Sequence, residues 1–455
     1  MKNINISNLS KWKEFRQLEE KVIISFFEEI QTSQNQLEKD IISIGFRSFI
    51  DVCNCIYIQN SSIQNFNNEY FNIIKIKNKL NKIKYKSVID YDLEKEKIFS
   101  DFRIFKLLKL FIKINMNRLK YIFKPTAFVF IESINLEKLK IYDKYGLILP
   151  ISITNFLNKS NEKNDAESLI GLSNRLADRI LNNINSIQFD KKYVAKILYE
   201  HFRSIYNDYK KIKINTLPKN LIINCGNKTP LRLLCRVMKM NKKNVVSFAH
   251  GEILQNKDYH RLWLDNIIST NYVEQYSFLA DDLKTKIKKT PFMNLFTSKI
   301  ESLKNDIEFP KKGRLLFENK KVLLIGNATK LHSYSTVTSF IPSIQAEIEL
   351  TILNFMKNKH SVVNYKAHPG GHVKTELIEF YKSKNFINIE NEIFEKVIPH
   401  YDIIIFYYAR TSTINAAFKS KKHLIFIDLG IEKYEVNSFN KIKDRCHIIK
   451  YEDIL

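Results

Sequence analysis

"YDIIIFYYARTSTINAAFKSKKHLIFID", residues 401–428, reads as strand, helix and strand in immediate succession. "YDIIIFYY" is an apolar run rich in β-branched and aromatic residues, "TSTINAAFKS" has helical character, and "HLIFID" is a second buried-strand run. Working outward, the same alternation precedes it. "KKVLLIG" (320–326) is a strand closed by a glycine, and "IPSIQAEIELTILNFMKN" places Ile344, Ile348, Ile352 and Met356 on one helical stripe. "SVVNYKA" then reads as strand, "VKTELIEFYKSK" as helix, "FINIE" as a short strand and "NEIFEKVI" as helix. Alternation at this spacing predicts a doubly wound parallel sheet.

A second sheet of the same kind is expected upstream. "NLIINCG" (220–226) is a strand, and Thr229-Pro230 opens a helix that "LRLLCRVMKM" continues. "NVVSFA" and "DNIIST" (265–270) follow as strands, with "VCNCIYI" and "AFVFIES" as further strand candidates nearer the N-terminus. Residues from about 165 to 212 read as helices, and "KNDIEFPKKGRLLFENKK" is the linker candidate. The expected architecture is α/β: two doubly wound Rossmann-like domains, with extra helices in the N-terminal half. Residues 1–310 would form the first, with a helical insertion near 165–212, and residues 311–455 the second. After "HLIFID" come only "LGIEKYEVNSF" and "CHIIKYEDIL", so that last strand is expected to lack cover, as if a terminal helix were missing.

Composition narrows the function classes. With 455 residues, two or three domains are expected, and a hydrophobic share of 44% is enough to give each a core. The formal net charge is +25, but Lys greatly outnumbers Arg and rises together with Ile and Asn, so much of the charge is a solvated lysine surface. No aromatic-basic motif, zinc knuckle or recognition-helix pattern accompanies it, and nucleic acid is not the expected partner. The charge does favour anions: nucleotides, phosphorylated lipids or an acidic membrane face. Five scattered cysteines, an odd number, argue against a disulfide framework or zinc site and fit a reducing compartment. Cys53 and Cys55, on a strand, would face the same side as small core residues. The N-terminus is polar, and no run approaches the ~18 apolar residues of a spanning helix. The expected location is the cytoplasm, with peripheral contact at the inner membrane as an option.

Ligands of parallel sheets bind beyond the carboxyl ends of the strands, and the unusual chemistry of this chain lies there. "KAHPGG" (366–371) offers a point charge at Lys366, an imidazole at His368, and, after Pro369, the pair Gly370-Gly371, which turns tightly and lets backbone N–H groups approach a ligand. An ordinary βα turn would look the same. Arg410 with Thr411, Ser412 and Thr413 stands at a predicted helix start, where N–H groups, hydroxyls and a guanidinium could hold a phosphate. A simple helix cap needs only one of those hydroxyls. In the first half, "SFAHGEI" brings His250 out of a strand, followed by Gly251 and Glu252. A histidine there suits a general base, and equally suits a hydrogen-bonded turn. Gly226 and the pair Gly326-Asn327 close two other strands and are further ligand-contact candidates.

The order strand-HG, "DNIIST", linker, strand-G, K-x-HP and "YDIIIF…TST…AA…KKHLIFID" resembles bacterial surface-polysaccharide glycosyltransferases of the GT-B fold. That capsule and lipopolysaccharide group includes Kdo- and sialic-acid-type transferases and polyol-phosphate transferases, and the likeness spans about residues 220–430. The resemblance implies transfer of a sugar from a CMP-, UDP- or CDP-activated donor to a surface glycan or lipid-linked acceptor, in a GT-B-like pair of domains facing a central cleft. Residues 1–310, with Gly226 and Gly251, would then be the acceptor side, and residues 311–455, with Gly326 and Asn327, the nucleotide-donor side. The resemblance further implies donor-phosphate contacts at His368, Pro369, Thr411, Ser412 and Thr413, and an acceptor-facing His250. Many such enzymes hold the ribose with a glutamate where this chain has Asn415. No cofactor and no metal is expected: Asp90-Tyr91-Asp92 spells the D-x-D of the other transferase fold but runs into the charged "LEKEK" and reads as a solvated loop. Alternatives are a nucleotide-sugar epimerase of the same fold, a polyol-phosphate transferase, or a non-catalytic basic binder of glycan or nucleic acid.

Overall fold

A computed structural model describes residues 7–60, 103–130, 135–151, 156, 167–184, 189–224, 229–249, 254, 257, 266–327, 342–359, 363–368, 374–383, 387–409, 411 and 413–455. They build an α/β protein around two sheets of six strands each, with every strand pair parallel. The first sheet comprises β1 (Ala127–Phe130), β2 (Ile148–Ile151), β3 (Asn220–Ile223), β4 (Asn244–Phe248), β5 (Asn271–Tyr276) and β6 (Lys299–Lys304), in the spatial order β2-β1-β3-β4-β5-β6. The second comprises β7 (Val322–Ile325), β8 (Val363–Lys366), β9 (Ile387–Ile389), β10 (Ile403–Phe406), β11 (His423–Asp428) and β12 (Cys446–Lys450), ordered β12-β11-β10-β7-β8-β9. Parallel sheets of this kind are compatible with a two-domain Rossmann-like arrangement. Residues 305–321, which join the two, carry neither helix nor strand.

Central strands such as β3, β7 and β10 are buried along their whole length, which is why they read as unbroken apolar runs. The edge strand β6 has no fully buried residue and carries the exposed Lys299 and Lys304. Over the first sheet lies a helical layer of α1 (Ser7–Thr32), α2 (Gln36–Asn60), α5 (Ile170–Ile184) and α6 (Lys191–Lys210); two smaller helices, α3 (Arg103–Asn115) and α4 (Leu136–Ile141), precede α5. Helix α7 (Thr229–Met240) locks the layer to the sheet: the buried Arg232 donates to the carbonyls of Ser43 and Ile44, and Arg236 pairs with Asp40 at 2.7 Å.

Three expectations need correction. "VCNCIYI" is helical, the last part of α2. The apolar spacing Ile42, Phe46, Phe49, Cys53, Ile56 runs through it at helical period and buries one face, so the β-branched run is subordinate to the longer pattern. Cys53 and Cys55 therefore belong to a helix and not to a strand, and Cys53 is buried in it. "DNIIST" is not a strand over its described residues; it forms a buried turn, and the strand is the next segment, "NYVEQY". Side chains hold that turn: Thr270 Oγ1 accepts from Val245 N at 2.9 Å and donates to Asn244 Oδ1 at 2.7 Å, while Ser298 donates to the carbonyls of Asn266 and Ser269. Finally, "HLIFID" is not uncovered. It is followed by α13 (Val436–Arg445) and by β12, which pairs with it along its length.

Helix α8 (Ser277–Lys289) ties the halves together. Asp282 accepts from the backbone N–H and the hydroxyl of Ser438 at 2.9 and 2.8 Å, meeting the start of α13. Burial raises the Asp282 carboxyl, against the pull of those donors. No helix among the described residues is long and apolar enough to cross a membrane.

Candidate functional site at the strand ends

In the second sheet the strand order reverses between β7 and β10, the position where an open parallel sheet leaves a crevice at its carboxyl edge. Gly326 and Asn327 leave β7 there, and Tyr407, Tyr408, Ala409 and Thr411 leave β10. The floor of the crevice is rigid. Gly326 N–H donates to the Lys366 carbonyl at 3.0 Å, the Tyr408 hydroxyl donates to the Gly326 carbonyl at 3.1 Å, and Asn327 N–H donates to the Tyr407 hydroxyl at 3.1 Å. Gln345 donates to the Asn327 carbonyl at 3.1 Å. The backbone of the pair is thus engaged inside the protein. Gly326 must lack a side chain, because a Cβ would collide with the hydroxyl end of Tyr365.

Beneath this floor sits a residue that the sequence did not single out. Glu349, on α9 (Pro342–Asn358), is wholly buried and accepts from the hydroxyls of Tyr365 (2.9 Å), Tyr381 (3.0 Å) and Tyr407 (2.5 Å) and from Gln345 (3.0 Å). Burial pushes the Glu349 carboxyl above its usual range, and the four donors oppose that shift without cancelling it. Burial, and then the neighbouring Glu349, push all three tyrosines well above theirs, which keeps them neutral donors. Tyrosine at strand ends and glutamate on a helical face are each ordinary in a sequence; only the fold brings them together.

The predicted donor-side residues divide into two groups. Thr411 and Thr413 are at the crevice, at the start of the short helix α12 (Thr413–Lys419). Their hydroxyls lie 2.6 Å apart, and Thr411 Oγ1 accepts from Thr413 N–H at 3.3 Å, so the threonines shape the turn into the helix. Lys366 ends β8 and His368 follows it, and β7 stands between β8 and β10, so β8 and β10 do not adjoin each other. Lys366 Nζ reaches the Glu390 carbonyl at 3.4 Å, and His368 is half-buried. Burial raises the Glu390 carboxyl slightly, but the Glu392 N–H, the Tyr401 hydroxyl and the Lys366 charge outweigh it and hold it below the usual range. Pro369, Gly370, Gly371, Arg410 and Ser412 lie outside the described residues, as do Asp90 and Asp92.

In the first sheet the order reverses between β1 and β3. Just past β3, Asn224 Oδ1 accepts from Lys138 Nζ at 3.1 Å, and the same ammonium contacts the carbonyl of Ala249 at the end of β4. Lys138 comes from α4, which is docked over these ends, and no motif marks it. Ala249 directly precedes His250 in the sequence; His250 itself lies outside the described residues, together with Gly226, Gly251 and Glu252.

The carboxyl end of β5 touches the helix that follows β10. Asn415, in α12, donates to Gln275 Oε1 at 3.0 Å and accepts from the Tyr276 hydroxyl at 3.3 Å, and Gln275 and Tyr276 are the last residues of β5. The backbone adds a further link where Lys257 N–H donates to the Lys433 carbonyl at 2.7 Å. Asn415 is therefore a connector between the two sheets. No family model and no curated protein matches the chain.

Proposed function

We propose that the protein is a glycosyltransferase of GT-B type that moves a sugar from a nucleotide-activated donor to a surface glycan or lipid-linked acceptor. The observation that carries this reading is the contact of the carboxyl end of β5 with the helix that follows β10, through Asn415, Gln275 and Tyr276. Two parallel sheets linked at strand carboxyl ends suit a reaction between two substrates, one held on each sheet. The donor nucleotide would lie in the crevice between β7 and β10, over the Gly326-Asn327 floor. Lys366, His368, Arg410 and the hydroxyls of residues 411–413 would offset the phosphate charge.

On the facing sheet the acceptor would lie near Lys138 and His250. His250 takes the proton of the acceptor hydroxyl, with Glu252 orienting the imidazole. The acceptor oxygen bonds to the anomeric carbon while the bond from that carbon to the phosphate oxygen breaks, and the nucleotide leaves with the electron pair.

The test is a hydrolysis and transfer assay with CMP-, UDP- and CDP-activated donors, paired with nucleotide binding by calorimetry. Turnover or selective binding of one nucleotide supports the reading. Failure of both with every donor overturns it. Isomerised free nucleotide-sugar in the absence of acceptor would identify an epimerase instead.

A further inference from the structure

Helix α3 and the turn after it carry an apolar stripe that faces outward. Leu108, Ile112, Met116, Leu119 and Phe123 recur at three- and four-residue spacing and are all exposed, Met116 and Leu119 at 65% and Phe123 completely. Ile122 beside them is half-exposed. Lys109, Lys113 and Lys120 are exposed among them, and Lys124 is partly exposed at the end of the turn.

This surface is held in place from behind. The Asn115 side chain donates to the Ile148 carbonyl and accepts from Ile148 N–H, both at 2.9 Å, which fastens the end of α3 to the edge strand β2. Arg118 is buried and donates to the carbonyls of Leu139, Tyr145 and Gly146. A Cβ on Gly146 would strike the carbonyls of Tyr121 and Lys124 at 2.5 and 2.6 Å, so the turn carrying Leu119 and Phe123 is seated against bare backbone. Lys120 and Lys124 lie over the Tyr121 ring at 4.9 and 4.5 Å, which keeps their charges beside the stripe. Asp143, 3.9 Å from Lys124, is the one carboxylate paired with these lysines among the described residues.

We propose that this face docks on an anionic lipid bilayer, with Leu119, Ile122 and Phe123 entering the headgroup boundary and the lysines meeting the lipid phosphates. An apolar stripe interleaved with lysines matches a surface that is apolar in depth and negative at its boundary. A second copy of the chain matches it poorly, since a two-fold contact would set lysine against lysine. The inference rests on the charge and exposure of this face and is independent of the enzymatic reading.

The experiment is co-sedimentation of the full chain with vesicles of phosphatidylcholine, alone or containing phosphatidylglycerol. Wild type should partition onto the anionic vesicles and be released by salt. Leu119→Ser with Phe123→Ser should lower the partition about a hundredfold, about tenfold for each side chain. Lys113→Glu with Lys120→Glu should lower it at least tenfold. Leu316→Ser, which removes an equally exposed leucine in the 305–321 segment, should change nothing. Thermal melts should be the same for all these chains, because the substituted side chains are exposed. The proposal is overturned if wild type ignores anionic vesicles at low salt, or if either paired variant binds like wild type. It is also overturned if size-exclusion shows a dimer that the serine pair dissolves, which would assign the face to a second copy.

Discussion

Glu349→Leu tests whether the tyrosine cluster is what supports the crevice floor. The substitution leaves four donors facing an apolar side chain: the hydroxyls of Tyr365, Tyr381 and Tyr407 and the Gln345 amide. Each buried donor without a partner costs about 1–3 kcal/mol, and some re-pairing among the hydroxyls is open to them, so the expected loss is about 3–5 kcal/mol. That is a large part of the stability of an ordinary domain, about 5–15 kcal/mol. Glu349→Gln keeps one acceptor oxygen and should lose less, about 1–3 kcal/mol. The pH dependence gives a second, independent reading. The folded-state value of Glu349 is raised, so its stabilising contribution is complete below the unfolded value of about 4.3 and is lost as pH rises through the folded value. Between those two values wild type should lose up to about 1.4 kcal/mol per pH unit relative to the glutamine variant, which does not titrate. Urea unfolding followed by circular dichroism across that range measures both effects. A leucine variant within about 1 kcal/mol of wild type, or parallel pH profiles for wild type and the glutamine variant, would refute the reasoning.

Gly326→Ala should cost about 1–3 kcal/mol and lower the melting temperature, because the new methyl meets a tyrosine that Glu349 holds in place; calorimetry checks it. Asn415→Ala and Gln275→Ala should each cost about 0.5–1.5 kcal/mol, and the double variant should cost clearly less than their sum, since both cut one hydrogen bond between the sheets. Arg410→Ala should lower turnover about a hundredfold while changing nucleotide affinity much less, because the charge it would offset grows as the sugar–phosphate bond breaks; steady-state kinetics beside calorimetry separate the two. Chelation of divalent ions should leave that turnover unchanged, and reversible loss with EDTA would send attention back to Asp90 and Asp92.

The second sheet was readable from residue 320 onward because its strands are buried on both faces and write themselves as apolar runs. The same reasoning failed where burial and pattern part company. "NYVEQY" is a strand that carries Glu274 and Gln275, while "IIST" is apolar enough to imitate one and is a turn held by hydroxyls and amides. The first two helices were hidden for a related reason. Their buried positions come from isoleucine and phenylalanine, residues with strand character, so a seven-residue window such as "VCNCIYI" points to a strand although the full 25-residue helix does not.

Site legibility followed a different rule. Residues marked by local chemistry, such as Lys366 and Thr411, were singled out because a cation at a strand end or a hydroxyl before a helix is a short-range signal. Strand order is a long-range property, and it decides which strand ends stand together. It put β7 between Lys366 and Thr411, so the element joining their neighbourhoods is the Gly326-Asn327 floor. It also made Glu349 and Lys138 meaningful, neither of which has a distinctive neighbour in sequence, and it gave Asn415 a partner that its neighbours do not disclose. Asn415 shows the difference most directly. Counted from the hydroxyls, it stands where a ribose-holding glutamate was sought; placed in the fold, its amide bridges to Gln275 and Tyr276, 140 and 139 residues away. A glutamate there would offer no N–H to Gln275, so the asparagine is accounted for by the junction it makes, and any carboxylate that holds a ribose must come from another element.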